Sequence, residues 1–407
     1  MQKIVIEKPY RFVPPHRGNW WPSFIQLFDL YGRWLKKTEG VESYELRHKE
    51  RLRASLDAGH GVMLTPNHCR NADPLVLGWL AREVGTHVYA MASWHLFNQD
   101  WFTSWAIRKM GAFSVYREGV DRQAINTAIA VLERAERPLI LFPEGAVSRT
   151  NDRLHALLDG VAFIARTAAK RRAKHTDGGK VMVHPVAIKY RFRGDIEDVT
   201  DEVLTDIEHR LSWQPQRHLS VHDRLVKTGR ALLCLKEIEH FGAEQRGKFA
   251  DRLNGLIDRL LQPLEEEWGG NALTGLAVPR VKALRMKLLP DMVNGDLSQD
   301  ERDRRWKQLA NMYLAQQVAC YPSDYLATPT IERLLETLER FEEDLTDQAR
   351  VHGNLHVVID VGEAIEVDTH RDRKAEVDPL MARIEEDLQA GLDRLAAECT
   401  LYEQPAG

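Results

Sequence analysis

The sequence predicts an α/β fold: a mostly parallel central sheet flanked by helices, with a large helical insertion. Three observations predict it. Between residues 61 and 192, short apolar strand-like runs alternate with amphipathic helical periods, the pattern of units that bury a parallel sheet on both faces. Residues 195 to 350 then keep helical periodicity almost throughout, with charged, leucine-rich stretches such as "IERLLETLERFEEDLTD" and no convincing strand. Strand character returns in "NLHVVIDVGEAIEV" at 354–367. The expected organisation is an N-terminal segment over 1–40, an α/β domain formed by 41–194 and 353–407, and a helical insertion over 195–352. The alternative is an independent helical C-terminal domain carrying its own strand. No internal repeat and no low-complexity linker are apparent.

The elements follow in order. "NWWPSFIQLFDLYGRWLKK" at 19–37 places Phe24, Leu27, Phe28, Tyr31, Trp34 and Leu35 at helical spacing, and Lys36 and Lys37 close the helix. It reads either as an amphipathic helix on its own core or as an interfacial helix with aromatics at headgroup depth. "GVMLT" is a short buried strand and "DPLVLGWLAREVG" a helix. "THVYAMAS" is a second strand, followed by an aromatic-rich helix, "WHLFNQDWFTSWAIRKMG". Its Trp94, Phe97, Trp101, Phe102 and Trp105 either pack inward, line a ligand groove or rest on lipid. "AFSVYR" is a strand, "GVDRQAINTAIAVLERAER" a helix, and "PLILFPEG" a buried strand ending in a turn. "HALLDGVAFIARTAAKRRA" is a helix and "KVMVHPVAIKYRF" a strand. A final acidic helix begins near residue 377.

Composition narrows the function classes. The 407 residues suffice for a sizeable core, and a net charge of -4 gives no whole-chain preference for nucleic acid. Local charge is more telling: the first forty residues and the run 166–193 lean basic, which favours phosphate-bearing ligands or an anionic membrane face. Cys69, Cys234, Cys320 and Cys399 are scattered, which argues against a zinc ribbon or a disulfide scaffold and for a reducing cytosol. No signal peptide and no spanning helix are expected. The sixteen histidines do not cluster at ligand spacing, so no metal is expected.

The chemistry gathers around "NHCRNAD". A strand ending near His68 places the imidazole at the carboxyl edge of the sheet, where α/β folds bind ligands. Histidine is a workable base near neutrality. A carboxylate on one ring nitrogen would hold the tautomer and steady the cation formed when the other takes a proton. Asp73, beyond an intervening loop of four residues, is placed to do this. It also precedes Pro74, a strong cap and first-turn pair. One oxygen could cap while the other holds the ring.

Three further blocks follow in order. Gly111 stands six residues before Arg117 in "GAFSVYR". "FPEGAVSR" carries Phe142, Pro143, Glu144 and Gly145 in a turn, with Arg149 behind. "VHPVAIK" places Pro185 in a strand. With His68 and Asp73, this ordered set resembles the glycerolipid acyltransferases, which include glycerol-3-phosphate and 1-acylglycerol-3-phosphate acyltransferases. "HVVIDVGEAIEV" is similar to the family's late strand, with Ala364 where a proline is usual.

The resemblance implies an O-acyltransferase built on the α/β domain. It gives His68 the role of general base, Asp73 that of its orienting carboxylate, and Arg117, after Gly111, that of contact to the acceptor's phosphate. Glu144 and Gly145 belong to the acceptor-binding block, and Pro185 to the acyl-donor side. A guanidinium fork suits a phosphate, so Arg149 joins Arg117 as a candidate. The expected reaction moves a fatty acyl group from acyl-CoA or acyl carrier protein to the hydroxyl of a phosphorylated glycerol or lysophospholipid. No cofactor is implied beyond that co-substrate. The expected partners are a membrane surface, phospholipid and the acyl thioester, with the protein cytoplasmic and peripheral on the inner membrane face. A hydrolase using the same dyad and a catalytically inactive lipid-binding scaffold are the alternatives. Ala146 where threonine is usual, a second strand without lysine, and Asp159 in place of a basic residue leave the dyad intact and the acceptor open.

Overall fold

The computed structural model describes residues 7–176, 179–321, 324–371, 374–375 and 377–403. The ends of the first and last segments assigned above, 1–6 and 404–407, lie outside these residues. The chain runs α1 (Trp20–Leu27), α2 (Leu30–Thr38), β1 (Val41–Arg47), α3 (Lys49–Asp57), β2 (Gly61–Pro66), α4 (Asp73–Glu83), β3 (Tyr89–Ser93), α5 (Trp101–Lys109), β4 (Ala112–Val115), α6 (Arg122–Arg134), β5 (Leu139–Ile140), α7 (Gly160–Arg172) and β6 (Val181–Phe192). Six helices follow: α8 (Ile196–Arg210), α9 (Val221–Phe241), α10 (Phe249–Gly269), α11 (Ala277–Asn294), α12 (Gln299–Ala319) and α13 (Ile331–Thr346). Then come β7 (Leu355–Val361), β8 (Ile365–Glu366) and α14 (Pro379–Ala396).

The sheet has the order β1-β7-β6-β2-β5-β3-β4, with β8 also on β6. Strands β2 to β6 are parallel to their neighbours within that set. β7 and β1 are parallel to each other, and β7 runs antiparallel to β6. Every residue of β2 is buried, which is why it reads as a continuous apolar run rather than an alternating one. Its side chains serve two layers. Val62 and Leu64 join the core under α2, α4, α8, α9 and α13, while Met63 joins the core under α6, α7 and α14.

β7 lies between β1 and β6. The late strand is therefore built into the main sheet rather than into a separate domain of its own. The segment between β6 and β7 is helical. Within it, α10, α11 and α12 share an apolar core that includes Leu256, Leu260, Leu288 and Met312.

That segment contains a recurrence the sequence reading did not detect. Near the end of α8, Glu208 accepts from the Gln216 amide at 2.9 Å and pairs with Arg224 of α9 at 2.9 Å. Glu237 of α9 repeats this with the Gln245 amide at 3.1 Å and with Arg252 of α10 at 2.7 Å. Glu265 of α10 does so again, with the Leu273 amide at 2.9 Å and with Arg280 of α11 at 2.7 Å. Arg224, Arg252 and Arg280 stand at every twenty-eighth position. Each glutamate is buried, so its charge needs a full set of partners. The connecting loop's amide and the next helix's arginine supply them.

Several expected elements are broken, each for a local reason. The helix expected over 19–37 divides into α1 and α2 at Asp29, which takes a left-handed φ of 45°. Aspartate tolerates that conformation, and its carboxylate accepts from Arg82 at 2.9 Å and from the Trp79 indole at 3.3 Å. The aromatic helix divides into a 3₁₀ turn over Trp94–Asn98 and α5, because Asp100 caps the amide of Thr103 at 2.8 Å. β5 keeps only two ladder residues before the Phe142–Gly145 turn. α7 begins at Gly160, since residues 143–159 are spent as a packed loop. The expected strand over 354–367 divides between β7 and β8 at Gly362, whose amide donates to the Pro185 carbonyl at 2.7 Å. β1 and α3 were not anticipated.

Candidate active site

The site begins where β2 stops and β6 does not. β2 ends at Pro66 opposite Val186, while β6 continues to Phe192. Two asparagines take over the vacated pairing. The Asn67 amide donates to the Ile188 carbonyl at 3.0 Å and accepts from the Ile188 amide at 2.7 Å. Asn151 makes the same exchange with Tyr190. Side chains thus satisfy the strand's backbone groups, and the chain is free to turn away at His68.

His68 and Asp73 are brought together. Nδ1 of His68 lies 2.9 Å from Oδ2 of Asp73, which is completely buried. The Arg70 amide donates to the same oxygen at 2.9 Å. The Tyr190 hydroxyl donates to Oδ1 at 2.7 Å, and the Cys69 thiol approaches it at 3.8 Å. Asp73 therefore acts as an acceptor on both oxygens. Nδ1 is left as the N–H donor, and Nε2 carries the lone pair. Burial, with the neighbouring Asp73, holds the Tyr190 phenol well above its ordinary pKa, so it stays a donor. The cap expected of Asp73 is absent. The N-cap position of α4 is Ala72, with no side-chain cap, and Asp73 turns back into the loop.

The ring is held from two more sides. Phe142 stacks on it, with centroids 4.0 Å apart. The backbone is fixed by Glu144, which accepts from the His68 amide at 2.7 Å and from the His155 amide at 3.0 Å. Burial pushes the Glu144 carboxyl up to about 8, although both amide bonds act the other way. The Ser148 amide donates to the His68 carbonyl at 2.7 Å. His68 keeps 12% of its side chain accessible. Glu144 thus positions the histidine. Gly145 takes a φ of +69°, and a Cβ there would lie 2.5 Å from Leu158, so the turn that presents Glu144 requires glycine.

The other predicted residues fall in different places. Gly111, at φ +106°, approaches the Val88 carbonyl so closely that a Cβ would sit 2.3 Å away; it shapes the turn into β4. Arg117 follows β4, three strand positions from β2, or about 14 Å. It shares the carboxyl edge with His68 but has no contact with the dyad among the described residues. Pro185 is buried in β6 opposite Thr65. It sits where β7 gives way to β8, so its missing N–H interrupts no ladder bond.

Arg149 stands beside the dyad loop, but its guanidinium is taken: Nη2 lies 2.6 Å from Glu343 of α13. That helix braces the loop at three residues. Arg70 pairs with Glu339 at 2.8 Å, and Arg340 donates to the Arg149 carbonyl at 2.6 Å. Together Cys69, Arg70, Arg149, Glu336, Glu339 and Arg340 line a small hollow between the loop and α13. Tyr190, the two asparagines and this helix were missed in the sequence. Tyr190 was visible only as one more residue of an apolar strand.

Residues 43–189 match the family model described as Acyltransferase; that span holds His68, Asp73, Arg117, Glu144 and Pro185. Over 136 residues the chain is 31% identical to a 1-acyl-sn-glycerol-3-phosphate acyltransferase of Streptococcus pneumoniae (strain ATCC BAA-255 / R6). That match covers 31% of this chain and 49% of the relative, so the chain spans about half the length of the curated protein it matches.

Proposed function

We propose, on the premise that residues 43–189 belong to the glycerolipid acyltransferase family, that the chain transfers a fatty acyl group from an acyl thioester to the hydroxyl of a phosphorylated glycerol or lysophospholipid. The observation that carries this reading is the His68–Asp73 bond of 2.9 Å at the carboxyl edge, with the aspartate wholly buried. Nε2 of His68 removes the acceptor's hydroxyl proton, and the oxygen attacks the thioester carbonyl. The carbon–sulfur bond then breaks. The thiolate takes the proton back from the imidazolium, and Asp73 stabilises the charged ring in between. No serine or cysteine nucleophile is required.

The reading places the reaction at a membrane surface. A chain of ring contacts joins Trp101, Phe102, Trp105, Trp21 and Trp20 across α5 and α1, each step 6.0 Å or less between centroids. Trp20 is 65% and Trp101 80% exposed. Lys109 lies 5.7 Å from the Trp21 ring, and Lys36 and Lys37 end α2. Exposed aromatics beside cations fit a layer of anionic headgroups. No helix among the described residues is long and apolar enough to cross a membrane.

Mass spectrometry of the products from acyl-CoA or acyl carrier protein thioester, with and without a 1-acylglycerol 3-phosphate, tests the reading. Acceptor-dependent formation of the doubly acylated lipid is expected. Free fatty acid alone would assign the site to a hydrolase, and no turnover with either donor would contradict acyl transfer.

A further inference from the structure

The helical segment reaches the carboxyl edge of the sheet at a second place, away from α13. There α11 brings Arg285 against the loop that carries Arg117 and Glu118, with Nη2 of Arg285 3.1 Å from Glu118. We infer that Arg285 and Arg117 together form a two-guanidinium site for a phosphomonoester, so that the acceptor's headgroup is held between the α/β domain and the helical segment. This rests on the reading above, in which the acceptor carries a phosphate.

Arg117 has no hydrogen bond or ion pair among the described residues. Its side chain is exposed, yet burial, then the nearby Arg285, lowers its pKa, with Glu118 acting the other way. Arg117 precedes Glu118 in the chain, so the Arg285–Glu118 pair brings α11 to the loop that carries it. Arg285 is mostly buried, and its Nε has no hydrogen-bond partner. One carboxylate, Glu118, faces two guanidiniums, which leaves one positive charge uncancelled and one buried donor unused.

The third neighbour adds no charge. His95 follows β3, and its Nδ1 lies 2.8 Å from the Ser93 hydroxyl. Burial, then Arg117 and Arg285, push its pKa down to about 4, so it is neutral near pH 7. Two forks of N–H donors, one from the loop after β4 and one from α11, suit the several oxygens of a phosphate better than a carboxylate or a hydroxyl. The sequence blocks supply Arg117 and Arg149, and Arg149 is already paired with Glu343. Arg285 lies outside the matched residues 43–189 and was not a candidate on sequence grounds.

The test is direct binding of sn-glycerol 3-phosphate to the full chain, measured by calorimetry in low salt, with glycerol and inorganic phosphate as separate arms. Wild type is expected to bind glycerol 3-phosphate and not glycerol. R117Q and R285Q should each weaken binding tenfold or more, and R285K, which keeps the charge without the fork, should restore only part of it. E118Q should tighten binding severalfold, because it removes the carboxylate that competes for Arg285. A merely structural Arg285–Glu118 pair would instead make E118Q weaken binding, and that result would overturn the inference. Loss of binding in R117Q with wild-type affinity in R285Q would overturn it while leaving the phosphorylated acceptor in place. No binding of glycerol 3-phosphate by wild type would remove both. Inorganic phosphate bound as tightly as the ester would show that the site reads a free anion and would overturn the headgroup assignment.

Discussion

Asp73 ties the site together through both of its carboxylate oxygens. Its two oxygens take the His68 ring, the Arg70 amide and the Tyr190 hydroxyl, so the imidazole is fixed in tautomer and direction before substrate arrives. His68, Asp73 and Glu144 were legible in the sequence because their blocks are short and local. Tyr190 was not, because its contact spans 117 positions and its strand gives no sign of which side chains reach the edge. Glu144 yields a pH prediction. Its carboxyl moves from an ordinary 4.5 to about 8 on folding. A group raised in the folded state contributes stability that is full below pH 4.5 and is lost as pH climbs through 8, by roughly 1.4 kcal/mol per unit. E144Q should flatten that loss in denaturant unfolding followed from pH 5 to 8. It should cost about 1–2 kcal/mol at pH 5 for the amide bond it weakens. Parallel pH slopes in the two proteins would refute the assignment.

At the scale of elements, single helices were easier to foresee than their joints. Apolar periodicity located α4, α6, α13 and α14, because a buried face repeats along a helix, and gave the rest of 195–350 only as helical in texture. It did not mark the breaks at Asp29 and Asp100, where a single polar side chain captures backbone or a neighbour. Nor did it show the glutamate latches that tie α8 to α11. Burial pushes the Glu237 carboxyl up, but the bonds from Arg252 and the Gln245 amide outweigh it and hold its pKa below the ordinary value. Its stabilising contribution is therefore present above pH 4.5 and lost as pH falls below that value. E237A leaves Arg252 without its main partner and should destabilise the fold by about 3–5 kcal/mol. Urea unfolding at pH 7 within 1 kcal/mol of wild type would show that the latch is dispensable.

For the whole molecule, the order of elements shows how the long helical segment is attached to the sheet. The helical segment leaves at the end of β6 and returns as β7 beside it, so both its ends are anchored on adjacent strands. α13 then braces the dyad loop through Arg70 and Arg149, and α11 stands over Arg117. The sequence showed that a helical segment interrupts the α/β pattern, but nothing local in it said which helix would meet which loop. The aromatic surface spans α1 and α5, and sequence periodicity left it divided between core and lipid. The structure exposes most of it. Replacing Trp20, Trp21, Trp101 and Phe102 by polar residues should release the protein from sedimenting anionic liposomes. Unchanged sedimentation would exclude this face from membrane contact.

The central claim is that one imidazole, oriented by one carboxylate, removes the acceptor's proton. The most direct measurement is the single-turnover rate of acyl transfer by H68A and D73N, each with its melting temperature checked against wild type. The account predicts folded proteins whose rates fall by about 10²–10⁴-fold, with H68A the slower. Wild-type rates in folded H68A would contradict it.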